Sequence, residues 1–379
     1  MVSVLVKKAA TLRKVVRREG VSGVTSIVRE KMTVYVDPPR DYAKVLPGAV
    51  AALARHGRPD LVVTAFGAGI GDDILCTAIL HELRRRGHDN VWMLSRWPEL
   101  FAHNPDAPRV EPARHRYDTF LRGLGAQIAY AFYTSYNPAF DRDEPLPLQH
   151  LISIMCQKAG ITGEVDLRPY MAVTEAEAAR GRVAPRQVAI QSAGLDATHA
   201  MHNKNWSLEG YQGVVHALKG RYDFVQVGSR SDPPLEGALD LRGRTSLRET
   251  AAVLSQSLAF VGQVGMLMHM ARAVDCRSVI VYGGRELPSQ SGYVCNENLY
   301  SPVACSPCWR LNTCPYDRKC LRMVGVDDVV RALEAQVGRH GTPLECATDT
   351  ITEAQVLENT VRYEEAVRSH RYAWKILYP

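Results

Sequence analysis

Apolar residues along this chain gather in short unbroken runs, and between the runs they recur at helical spacing. Residues 61–66, LVVTAF, form one such run, as expected of a strand covered on both faces of its sheet. Ile74, Leu75, Ala78, Ile79 and Leu83 then fall on one helical face, and NVWML (90–94) reads as the next strand. Strand, helix and strand at this spacing predict a parallel sheet. HLISIMCQKAG (150–160) predicts a helix ending at a glycine. The alternation restarts with strands at 188–194, 222–228, 258–262 and 278–284 and helices at 208–220, 246–257 and 266–275. Ser246 and Glu249 stand at capping-box spacing. Between the two series, TEAEAARGRVAPRQ (174–187) reads as a polar linker whose first half could form a short helix. Residues 353–377 predict a long helix that could cross back onto the first lobe. The pattern is that of two doubly wound α/β units. Expected divisions are a basic N-terminal segment (1–45), a first lobe (46–180), a second lobe (181–345) and a C-terminal helix (346–379).

A length of 379 residues suits two domains. A hydrophobic content of 46% with 23% charged residues reads as a soluble globular chain. No apolar run approaches the roughly 20 residues that cross a bilayer, and the start shows no signal-peptide pattern, so the expected location is the cytoplasm. The net charge of +6 sits in residues 1–32, which carry eight basic and two acidic side chains. This stretch could form an amphipathic helix with Leu5, Ala9, Leu12 and Val16 on one face. Such a helix either rests on an anionic membrane surface, here the inner membrane, or packs on its own domain in water. The rest of the chain shows no basic pattern of a nucleic-acid binder.

Two local patterns carry chemistry. The first is FGAGIGDDILC (66–76), a glycine-rich corner opening a helix. Glycines allow a tight turn and close approach of a ligand, and free N–H groups at a helix start commonly receive phosphate. Here Asp72 and Asp73 occupy the first turn. They would repel a phosphate but suit a helix cap or a general base. The second pattern is CSPCWRLNTCPYDRKC, which spaces Cys305, Cys308, Cys314 and Cys320 as Cys-x2-Cys-x5-Cys-x5-Cys. Four thiolates on a short loop can close a tetrahedral structural site, and spacing does not separate zinc from iron. Cys76, Cys156, Cys276, Cys295 and Cys346 are scattered. A reducing compartment with one metal cluster accounts for this usage better than a secreted disulfide framework.

In the second half, KNWS (204–207), VGSRSD (227–232), RGRTSLRETAAVL (242–254), FVGQVGMLMHMARAV (260–274) and VIVYGG (279–284) follow one another in order. In that order the segments resemble the C-terminal half of glycosyltransferase family 9, the ADP-heptose:lipopolysaccharide heptosyltransferases. The corner at 69–75 resembles the family's Gly-Asp-x-Leu segment. The resemblance implies a GT-B architecture, two facing Rossmann-like lobes with a nucleotide-sugar donor held by the second. It implies an inverting transfer with Asp72 as general base and Gly69, Gly71 and Asp73 on the acceptor side. It implies that Lys204 neutralises the donor diphosphate, and that Ser192, Gly228, Ser229, Gly265, Met266, Met268 and His269 line the donor pocket. His269 alternatively serves as a structural histidine of its helix. The family's Asp-Ser-Gly is replaced here by Val264, Gly265 and Met266, which touches the contact to the donor sugar. Some family members that heptosylate autotransporter adhesins carry a similar cysteine-rich loop, which implies a protein acceptor beside a glycolipid of lipopolysaccharide biosynthesis. Neither lobe asks for a catalytic metal. Two other expectations stand beside this one: a non-catalytic binding or assembly module, and an epimerase on the same two-lobed fold.

Overall fold

The computed structural model describes residues 38–65, 69–114, 117–137, 140–197 and 201–369. The basic N-terminal helix expected from residues 1–32 lies outside them, as do Phe66 and residues 370–377 of the last helix. The chain divides into two compact units, one of Met1–Arg58 with Arg114–Gly125 and one of Pro59–Ala113 with Ala126–Pro379. The first holds the helices Pro38–His56 and Tyr117–Gly123, and Arg58 Nη1 donates to the Leu124 carbonyl at 2.9 Å.

The second unit begins with strand β1 (Leu61–Thr64), helix α1 (Ile70–Arg85) and strands β2 (Val91–Ser95), β3 (Val110–Pro112) and β4 (Gln127–Tyr130). These strands form a parallel sheet in the order β3-β2-β1-β4. Val62, Val63 and Thr64 are buried, which is the reason the run shows no polar alternation. Ile74, Leu75, Ala78, Ile79 and Leu83 of α1 are all buried, as their spacing predicts. Next come a hairpin of β5 (Ser135–Asn137) and β6 (Arg142–Glu144), helix α2 (Leu151–Lys158) and strand β7 (Gly163–Asp166).

The stretch expected to be a linker is instead packed structure. Thr174 caps helix α3 (Glu175–Gly181), and Glu177 completes a capping box. Its polar residues serve capping and ion pairing, with Glu177 Oε2 accepting from Arg248 Nη2 at 2.5 Å. Strand β8 (Gln187–Ile190) starts inside the expected linker, and the buried Gln187 carboxamide donates to the carbonyls of Gly181 and Val253.

Helix α4 (Leu208–Ala217), strands β9 (Asp223–Gln226) and β10 (Leu239–Asp240), helix α5 (Leu247–Ser255), strand β11 (Phe260–Gln263), helix α6 (Met266–Ala273) and strands β12 (Ser278–Gly283) and β13 (Glu297–Tyr300) follow. Ser207 caps α4, and Ser246 with Glu249 caps α5 by the expected capping box. The six-stranded parallel sheet has the order β10-β9-β8-β11-β12-β13, reversing direction between β8 and β11. Loops at the carboxyl end of such a reversal form a ligand crevice. Helix α7 (Val326–Gly338) completes the lobe. Strand β14 (Thr348–Ile351) then returns to pair antiparallel with β7. Helix α8 (Glu353–Ser369) packs on α2, where Lys158 Nζ donates to the Asn359 carbonyl at 3.1 Å and Asn359 Nδ2 donates to that of Ile154 at 3.2 Å.

One apolar core runs from Val63 and Leu83 through Ile152 to Val253, Phe260 and Met270, joining both sheets. A second, around Trp206, Tyr211, Val279 and Leu333, fills the other face of the larger sheet. Among the described residues no helix is long and apolar enough to cross a membrane.

The α3–α5 contact is testable. A Cβ built on Gly181 would lie 2.2 Å from the Ala252 carbonyl oxygen. Gly181→Ala should lower stability by about 1–3 kcal/mol in urea unfolding, the usual effect of overpacking. Gly338→Ala, where a Cβ meets nothing within 4 Å, should stay within about 0.5 kcal/mol of the parent.

Candidate active site at the lobe junction

The N-terminus of α1 abuts the N-terminus of α6. A Cβ built on Gly71 would sit 3.4 Å from both the Met266 Cα and the His269 Cδ2, so the absence of a side chain lets the two helices meet at backbone distance. Asp72 follows immediately. It is not the N-cap, a position taken by Gly69. It sits one turn in, and its Oδ2 accepts the Gly69 amide at 2.8 Å. The Tyr133 hydroxyl also donates to Asp72. Burial and the neighbouring carboxylates of Asp72, Glu286 and Asp143 push the Tyr133 phenol well above its usual range, so it remains a donor. Asp72 is thus a half-buried carboxylate oriented by two donors at the junction of the lobes. Asp73 points elsewhere. It is 3% exposed, accepts from the Ser95 hydroxyl, and burial lifts its carboxyl to about 7.

Lys204 ends a short turn, His202–Lys204, in the second lobe. Its ammonium pairs with Glu286 Oε1 at 3.0 Å. Arg285 pairs with the same oxygen at 2.8 Å and with Asp143 Oδ2, from β6 of the first lobe, at 2.6 Å. Burial alone would raise Glu286, but Lys204 and Arg285 hold it down, to about 2. The Arg285 guanidinium lies over the Trp309 ring, 4.8 Å from its centroid, and Nε donates to the Arg310 carbonyl at 3.0 Å. The four charged groups form a continuous buried chain across both lobes.

The remaining expected donor residues divide. Ser192 is buried and its hydroxyl is engaged within the lobe, donating to the Pro233 carbonyl at 2.6 Å and accepting from Gln226 Nε2 at 2.9 Å. Gly228, at φ +130°, would bring a Cβ within 2.5 Å of Asp232 Oδ2, the oxygen that accepts the Ser229 amide at 3.0 Å. Ser229 Oγ and Gln263 Oε1 are buried and carry no hydrogen-bond partner. They follow β9 and end β11, at the carboxyl edge where a parallel sheet binds ligands. Gly265 caps α6 with open space around it, and the Met266 backbone meets Gly71. Met268 is a core residue whose sulfur accepts from the Tyr282 hydroxyl at 3.5 Å. His269 is buried, with Nδ1 2.6 Å from the Tyr293 hydroxyl, and burial with the nearby Lys204 charge lowers it to about 3. It is neutral, as a structural histidine would be.

The cysteine-rich loop holds Cys305 exposed and Cys308, Cys314 and Cys320 half-buried. Backbone amides of Arg310, Arg318 and Gly284 donate to the sulfurs of Cys308, Cys314 and Cys320. Burial pushes the Cys308 and Cys320 thiols up, and these amide donors only partly oppose it. Among the described residues, however, no three His, Cys, Asp or Glu side chains are arranged to hold a metal ion. The donor chemistry fits a thiolate-bound metal, whereas the loop geometry stops short of a closed site.

Sequence reasoning passed over Tyr133, Asp143, Arg285 and Glu286. Arg285 and Glu286 follow an apolar strand directly, and a charged pair at that position is a readable mark of a strand's carboxyl edge. Tyr133 and Asp143 lie in an irregular region and carry no such mark.

No protein-family model matches this chain, and no curated protein matches it in sequence. Solved structures do match in fold. Heptosyltransferase II of E. coli aligns at TM-score 0.56 and 14% identity, covering 74% of this chain and 99% of that one. The iron-containing dodecameric glycosyltransferase TibC of enterotoxigenic E. coli H10407 aligns at TM-score 0.55 and 16% identity, covering 74% and 76%. A glycosyltransferase family 9 protein of Veillonella parvula aligns at TM-score 0.52 and 15% identity, covering 74% and 97%. The chain has the two-lobed, Rossmann-like GT-B fold of these proteins, as its motif order implies.

The buried Asp73 gives a pH test. Its carboxyl titrates near 7 in the folded chain against 3.8 in the unfolded one. Between those values the folded state keeps a proton that the unfolded state releases, so this group lowers stability as pH rises. Asp73→Asn should therefore gain stability over the parent progressively from pH 4 to pH 7 and level off above, in urea unfolding at stepped pH.

Proposed function

We propose that this chain is an inverting glycosyltransferase that moves a sugar, a heptose, from an ADP-sugar donor to a hydroxyl of a glycolipid or protein acceptor. The observation that carries the reading is that Tyr133, whose hydroxyl donates to Asp72 of the first lobe, lies within the influence of Glu286 and Asp143, the two acids of the chain that holds Lys204. The fold adds support, since one solved example with it is TibC in complex with ADP-D-β-D-heptose (TM-score 0.52, 16% identity).

In the proposed reaction Asp72 takes the proton of the acceptor hydroxyl as that oxygen attacks the anomeric carbon. The bond from that carbon to the donor phosphate breaks on the opposite face, and its electron pair leaves with the nucleoside diphosphate. Lys204 supplies positive charge where the leaving diphosphate gains negative charge. Donors from Gly69 and Tyr133 keep Asp72 aimed before it accepts the proton. Ser229 and Gln263 offer unspent polar atoms to the nucleotide half.

A second reading, a non-catalytic binding module, draws on two observations. Val264 is buried where the resembled family has an aspartate, and Lys204 is already paired with Glu286. Calorimetric titration with ADP-, UDP- and GDP-sugars separates the readings, because a module would bind none of them.

For the cysteine loop we infer a structural zinc or iron held by Cys305, Cys308, Cys314 and Cys320. The amide-to-sulfur hydrogen bonds support it, as does the iron-containing neighbour.

Asp72→Asn and Lys204→Ala should each lower sugar transfer by at least about 100-fold, the size of general-base and electrostatic contributions. Normal transfer by Asp72→Asn would end the base assignment. Elemental analysis of the purified chain should give about one equivalent of zinc or iron. Less than about half an equivalent, with all loop thiols titratable, removes the metal.

A further inference from the structure

Lys204 lies in a turn, yet its position is not left to a mobile turn. Asn203, immediately before it, is 5% exposed, and its backbone amide and entire carboxamide are spent on one partner segment. Its amide donates to the Leu311 carbonyl at 3.0 Å. Nδ2 donates to the carbonyls of Arg310 at 3.2 Å and Thr313 at 3.0 Å. Oδ1 accepts from Arg318 Nε at 3.1 Å. Every one of these partners lies between Cys308 and Cys320. The same loop also reaches the ammonium from the other side, because Trp309 is the shelf beneath Arg285 and Arg285 shares Glu286 with Lys204.

We propose that Asn203 is a positioning residue that couples the cysteine-rich loop to Lys204, so that the loop sets how strongly the site holds the second phosphate of a nucleotide. The proposal rests on the reading of Lys204 as a diphosphate contact. A lysine has a long, rotatable stem, and its charge lands in one place only if its Cα and its head are both held. Asn203 holds the first and the Trp309–Arg285–Glu286 stack holds the second. A shift of about 1 Å in such a group is enough to lose most of its effect. A merely structural Asn203 would change stability, or all ligand affinities together. A positioning Asn203 changes only the affinity that depends on the Lys204 charge.

The experiment is calorimetric titration of the full chain with ADP and AMP, and in parallel UDP and UMP, for wild type, Lys204→Ala, Asn203→Ala and Asn203→Asp. Thermal unfolding of each variant is recorded alongside. Wild type should favour the diphosphate over its monophosphate, and Lys204→Ala defines the level without the contact. Asn203→Ala should lose diphosphate affinity by about tenfold while monophosphate affinity stays within about twofold. Asn203→Asp keeps the Oδ1 acceptor but loses both Nδ2 donors, so it should fall in the same direction, and it provides the test should Asn203→Ala not fold. If wild type and Lys204→Ala differ but both Asn203 variants keep the wild-type preference, or lose both affinities equally, the coupling is overturned and the lysine assignment stands. If wild type binds none of the nucleotides, the glycosyltransferase reading fails and this proposal with it.

Discussion

The structure turns on a buried chain of charge, Asp143–Arg285–Glu286–Lys204, that runs from one lobe into the other. Charges taken out of water survive only when each is matched, and removing one partner from such a set typically costs about 3–5 kcal/mol. The chain therefore constrains everything that delivers its members. The β5–β6 hairpin must present Asp143, the loop after β12 must present Arg285 and Glu286, and the 202–204 turn must present Lys204. Trp309, 2% exposed, closes the underside of Arg285 and so ties the cysteine-rich loop to the same constraint.

The second constraint is distance. Gly71 lets α1 and α6 approach until backbone meets backbone, which brings the start of the first-lobe helix to the start of the second-lobe helix. Asp72 is left half-buried beside that contact, held by the Gly69 amide and the Tyr133 hydroxyl. Tyr133 lies within the influence of Asp72, Asp143 and Glu286 together, so Asp72 and the acids of the ion-pair chain share one electrostatic environment.

Ser192, Met268 and His269, which motif order assigns to the donor, also have partners within their own lobe. Ser192 and Asp232 tie the turns that follow β8 and β9 to one another. Met268 fills core, and His269 is a neutral partner for the Tyr293 hydroxyl. A motif records a structural residue and a ligand contact alike, since both demand a particular side chain in a particular place.

The sequence alone determined the strand-and-helix succession, because strands buried on both faces are written as unbroken apolar runs and helix faces as repeats of three and four. It also determined the cap at Ser246, a local hydrogen bond between near neighbours, and it placed Asp72 at a helix start. The tertiary structure alone decided that residues 174–187 are packed rather than free, because their polar groups find partners on α5 that lie some 70 residues away in the chain. It alone assembled Tyr133, Asp143, Lys204 and Glu286, since their meeting depends on which ends of two sheets face each other. It alone sorted Asp72 from Asp73: two adjacent carboxylates on a helix point about 100° apart, and only the surrounding fold says which of them meets the other lobe and which is buried beneath Ser95.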